Sequence, residues 1–110
     1  MINFVIYENE IELKKFYEMI ILNTLGNKQE NFKIINYLSN CKKNIDYSIY
    51  ILSSKNIYTI LEIAKKIRKT DDWNSQIIII SDLNNINTSI FNNRLLILDY
   101  INYNNKLSNF

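Results

Sequence analysis

Four consecutive isoleucines stand at residues 77–80, inside the stretch QIIIIS at 76–81. The run is too short and too β-branched to make a good helix, and it carries no charge, so it reads as a strand. A strand with one wet face would alternate apolar and polar residues. This one is apolar at every position, so both of its faces must be covered, as happens in parallel sheets with helices packed on both sides.

The rest of the chain supplies the matching parts. INFVIY (2–7) is a short apolar run ending at the polar ENE, FKIINYL (32–38) is a second strand, SIYIL (48–52) a third, and LLILDYIN (95–102) a fifth. Between the first two strands, Ile11, Leu13, Phe16, Tyr17, Ile20, Ile21 and Leu25 recur at helical spacing, and Gly26 with Asn27 supplies a stop. IYTILEIAKKIRK (57–69) sets Ile57, Ile60, Leu61, Ala64 and Ile67 on one face and its basic residues opposite. A short helix is expected near 85–93, and about two turns of a terminal helix from NYNNKLSNF. SNCKKNID makes a short helix or an irregular connection.

At 110 residues and 47% hydrophobic, this is material for one domain, 1–110, with a single core. Alternating strands and helices in so short a chain imply right-handed crossovers and a three-layer α/β/α sandwich. The expected architecture is the flavodoxin-like doubly wound sheet with strand order 2-1-3-4-5. Sites in such sheets lie beyond the carboxyl ends of the strands, at the switch in strand order. The residues due to converge there are Glu8, Asn9 and Glu10, then Ser53 and Ser54, Ser81 and Asp82, and Asn102 and Tyr103.

Composition removes several kinds of function. No histidine is present, which takes away the commonest general base and transition-metal ligand; with one cysteine, Cys41, a structural zinc site and an internal disulfide are excluded. A net charge of +2 spread along the chain leaves no footprint for nucleic acid or anionic lipid. No apolar run reaches the roughly 18 residues of a membrane span, and the first residues do not resemble a secretory signal. A reducing, cytoplasmic setting is the expectation. Richness in Asn, Ile, Lys and Tyr is what A/T-rich codons produce and carries no functional reading.

The segments VIYENE, YIL followed by SS, AKKIRK, DWNSQIIIIS and RLLILDYI, in this order and spacing, resemble the receiver domain of LytTR-type response regulators. The likeness spans nearly the whole chain, and its most specific part is DWNSQIIIIS with RLLILDYI. It implies the same doubly wound fold and a phosphoryl group accepted from a sensor histidine kinase. In that family acidic residues after strand 1 and an Asp after strand 3 hold Mg²⁺, the Asp is the nucleophile, and a Thr or Ser after strand 4 with a Lys after strand 5 stabilises the phosphoryl oxygens.

Matched residue by residue, Glu8 keeps the first acid and Ser81 the hydroxyl, while Asn9 replaces the second acid, Ser53 the phosphoacceptor and Tyr103 the lysine. A serine hydroxyl is un-ionised at neutral pH, and no histidine is there to activate it. The resemblance therefore implies a degenerate receiver without a catalytic residue, in which Mg²⁺ is not expected and Glu8 is a weak metal candidate. Its crevice would be nearly neutral, with Glu10 turned outward. Such a domain would act through phosphorylation-independent protein interaction or homodimerisation across residues 85–103, with Arg94, Asp99 and Tyr100 on that face. DNA would be met only by a separate output domain following in a longer regulator. The alternatives are a receiver still phosphorylated at a nonstandard residue and a sensor of a small ligand in the emptied crevice.

Plainer roles are open for the same residues. Ser53 can end a strand by bonding a turn, and Asp82 can cap a helix instead of serving as a displaced acceptor. Tyr100 is either the family's mobile aromatic or an amphipathic side chain at a sheet edge. Lys65, Lys66, Arg68 and Lys69 form a solvated helix face, and Trp73 caps the core.

Overall fold

The computed structural model describes residues 2–26, 31–37, 47–70, 75–84 and 95–103. Five strands form one all-parallel sheet: β1 (Ile2–Tyr7), β2 (Phe32–Asn36), β3 (Ser48–Ser53), β4 (Gln76–Ser81) and β5 (Asp99–Asn102), in the order β2-β1-β3-β4-β5. This is the flavodoxin-like order expected from the alternation of strand and helix patterns. Helix α1 (Ile11–Leu25) follows β1, and helix α2 (Ile57–Lys69) follows β3.

The period of two along each strand sorts side chains into two cores. Val5, Tyr50, Leu52, Ile77 and Ile79 point to one face and pack with Ile57, Ile60, Leu61, Ala64 and Ile67 of α2. Ile6, Phe32 and Ile80 point to the other and pack with Leu13, Tyr17 and Ile21 of α1. The isoleucine run is thus divided between both cores, which is why it contains no polar residue. Each fully buried isoleucine contributes roughly 1.5–3 kcal/mol relative to an exposed one.

Local chemistry sets the helix ends. Asn56 Oδ1 accepts from the Tyr58 amide at 3.0 Å and so caps α2. The helix α1 ends at Gly26, whose amide bonds the Leu22 carbonyl at 2.8 Å with φ +57°, a backbone region that favours glycine.

Three boundaries differ from expectation. The second strand ends at Asn36, although the Tyr37 amide still bonds the Ile6 carbonyl at 2.9 Å. The third runs on to Ser53. The fifth begins at Asp99 instead of 95, and the reason is Arg68. Its Nε donates to the Leu95 carbonyl at 2.7 Å and its Nη2 to the Leu96 carbonyl at 3.1 Å, while Leu96 turns to φ +50°. Backbone engaged this way cannot lie flat along β4, and the ladder starts at the Leu98 amide on the Ile77 carbonyl.

Arg68 also corrects the reading of α2 as carrying a fully solvated basic row. Lys65, Lys66 and Lys69 are exposed, but Arg68 is 4% exposed and donates through Nη1 to the carbonyl and hydroxyl of Ser75 as well. The expected helix at 85–93, the terminal helix, the 39–46 connection, Trp73 and Arg94 lie outside the described residues.

Candidate functional site

Because all five strands are parallel, their carboxyl ends share one edge of the sheet, and alternation decides which side chains meet there. Glu8 follows the parity of Ile6, Ser53 that of Ile51 and Tyr103 that of Ile101, so all three face α1. Asn9 follows Tyr7 and Ser81 follows Ile79, so these face α2.

On the α1 side, the Ser53 hydroxyl donates to Glu8 Oε2, and the Tyr17 hydroxyl lies 2.8 Å from Ser53 Oγ. Serine has one proton to give, so with that proton on the carboxylate the phenol is the donor to Ser53. A directed chain results: Tyr17 to Ser53 to Glu8. The other carboxylate oxygen of Glu8 accepts from the Glu10 amide at 3.1 Å, closing the turn into α1. Ser53 and Tyr17 are both buried, and Ser53 is 0% exposed.

The remaining tips are stitched around this chain. The Tyr103 hydroxyl points to Glu10 Oε2 at 3.5 Å, and Lys55 Nζ lies 5.8 Å from the centroid of the Tyr103 ring. Backbone bonds join neighbouring tips, from the Tyr103 amide to the Ser81 carbonyl at 2.7 Å and from the Ser54 amide to the Ile80 carbonyl at 3.0 Å. Ser81 Oγ donates to the Lys55 carbonyl at 3.3 Å, fixing the loop that carries the lysine.

Burial and charge hold both phenols neutral. For Tyr17, burial raises the pKa well above the usual tyrosine value, and the charge of Glu8 adds to the rise. Tyr103 is pushed up to about 12, first by burial and then by the charges of Glu8 and Glu10 and its bond to Glu10. Burial also raises Tyr100.

Four of the expected positions, Glu8, Ser53, Ser81 and Tyr103, do gather at this edge. Asn9 leaves the group: it is exposed, and its Nδ2 donates to the Tyr7 hydroxyl at 3.2 Å. Glu10, exposed as expected, is nonetheless the acceptor for Tyr103, so the edge carries two carboxylates and the Lys55 ammonium instead of a neutral lining. Ser53 does have a basic neighbour, the Glu8 carboxylate, although a carboxylate is too weak a base to hold an alkoxide and serves to orient the hydroxyl. Asp82 accepts from the Asn84 amide at 3.1 Å in a local turn. Asp99 is exposed and accepts from its neighbour, the Tyr100 amide, at 2.8 Å; Tyr100 is half-buried against the α2-side core.

Tyr17 and Lys55 were not among the sequence-predicted site residues. Tyr17 counts as apolar in a helical pattern, but a buried tyrosine needs a partner for its hydroxyl, and that requirement is the signal. Lys55 is two residues beyond Ser53, in a loop whose direction periodicity does not encode.

The donor set does not fit a hard divalent cation. Magnesium takes several free oxygens in an octahedron, whereas both oxygens of Glu8 are engaged, Asn9 faces away and Ser53 offers a neutral hydroxyl. Among the described residues no three Asp, Glu, His or Cys side chains converge. Nor is any helix among them long and apolar enough to cross a membrane. Compared with protein-family models, curated proteins and solved structures, the chain matches none of them.

Proposed function

We propose that this chain is a receiver-like interaction domain of the response-regulator type whose phosphorylation centre has been replaced by a closed hydrogen-bonded network, so that it works by protein contact without phosphoryl transfer. One observation carries the reading. At the tip of the central strand β3, where a phosphoacceptor would stand, Ser53 is wholly buried and its hydroxyl is engaged by both Glu8 and Tyr17. A phosphoryl donor would have to break both bonds to reach the hydroxyl.

The edge strand supports the contact role. Leu96 and Leu98, in the segment that leads into β5, are exposed beside Asp99, and Tyr100 is half-buried against the α2-side core. Apolar side chains exposed close together favour association with another protein surface. The partner surface in this reading includes the described part of residues 85–103.

The test is incubation with acetyl phosphate and Mg²⁺ followed by intact-mass measurement. No phosphoryl adduct is expected. An adduct that maps to Ser53 or Ser54 would overturn the proposal.

A further inference from the structure

Helix α1 is apolar around most of its circumference, unlike the two-faced α2. Its inner side is spent on Leu13, Tyr17 and Ile21, yet Ile11, Met19 and Leu22 are 68%, 50% and 39% exposed. At 3.6 residues per turn, Ile11, Lys15, Glu18, Met19 and Leu22 fall within roughly 100° of arc, opposite the buried side. Lys15 is exposed and Glu18 half-buried, and among the described residues neither is in an ion pair.

Four of the five residues of this stripe match one another about a two-fold, Met19 meeting Lys14 instead. Ile11 and Leu22 are equally distant from the point midway between Phe16 and Tyr17, and so are Lys15 and Glu18. Turned over by a two-fold axis through that point, a second α1 sets Leu22 against Ile11 and Glu18 against Lys15, twice each. Two-fold contacts require such matching, since residue i meets j wherever j meets i.

We propose that α1 is a homodimer interface, in which two copies of this chain pair antiparallel about the middle of the helix. The apolar ends bury exposed surface, and the two symmetric Lys15–Glu18 pairs set the register. The interface uses no residue of the strand-tip network and none of β5, so it stands or falls apart from the proposed function.

Sedimentation velocity over a concentration series tests it. The wild type is expected to show a concentration-dependent dimer. Lys15→Glu or Glu18→Lys turns both attractive pairs into like-charge pairs and should weaken self-association about tenfold, given roughly 0.2–1 kcal/mol for each exposed pair and tenfold per 1.4 kcal/mol. An equimolar mixture of the two variants should restore association, because each chain then offers the other two opposite charges. Leu98→Lys should leave it unchanged. A wild type monomeric at every concentration, variants that associate as strongly as wild type, a mixture that recovers nothing, or loss of the dimer in Leu98→Lys would each overturn the assignment. Helix content by circular dichroism confirms that the variants are folded.

Discussion

Ser53 sits between a donor and an acceptor that both depend on it. Removing its hydroxyl leaves the buried Tyr17 phenol with no acceptor and Glu8 Oε2 with no donor, and an unsatisfied buried polar group costs about 1–3 kcal/mol. Ser53→Ala is therefore expected to destabilise the fold by about that amount, and Tyr17→Phe by less. In the double variant the two losses should fall short of additive, because either change alone already breaks the Tyr17–Ser53 bond. Urea unfolding of the four proteins measures this. Tyr103 gives a second residue-level outcome. Its folded pKa of about 12 lies above the ordinary tyrosine value, so the folded state favours the neutral phenol. That contribution is complete below about pH 10 and is lost as pH rises from there toward 12. Phenolate absorbance of wild type against Tyr103→Phe should show one tyrosine ionising late. Of the site, Glu8 and Ser53 were legible because strand tips can be counted in a sequence. Tyr17 was hidden because helical periodicity scores its ring and ignores its hydroxyl.

At the scale of elements, α1, α2 and the first four strands follow from local pattern, while β5 does not. Leu95 to Leu98 have the composition of a strand, but Arg68, 27 residues before Leu95, takes the carbonyls of Leu95 and Leu96. No local pattern contains that contact. The buried guanidinium ties the end of α2 to the approaches of β4 and β5 through Ser75, Leu95 and Leu96. Hydrogen bonds to charged groups contribute about 1.5–3 kcal/mol each. Arg68→Met, which keeps the bulk and removes the donors, is expected to cost at least about 3 kcal/mol, read as a lower urea midpoint with an unchanged slope. Arg68→Lys should fall between, since one ammonium cannot span three residues' backbone.

For the whole molecule, the strand order 2-1-3-4-5 could be read from the sequence because a doubly wound sheet leaves few ways to cover a strand as apolar as QIIIIS, while the apolar material expected to form a single core is divided by the sheet into two. The state of the crevice could not, since it depends on which hydroxyls and carboxylates find each other across four elements. What the fold assembles at its carboxyl edge is a set of groups that satisfy one another, with the Ser53 hydroxyl bonded to Tyr17 and a cation supplied by Lys55 beside the Tyr103 ring. The most direct test of this closure is the amide NMR spectrum before and after Mg²⁺ with beryllofluoride, a phosphoryl mimic. A sealed network predicts an unchanged spectrum at residues 8, 53, 54, 81 and 103. Saturable shifts concentrated at those residues would contradict it.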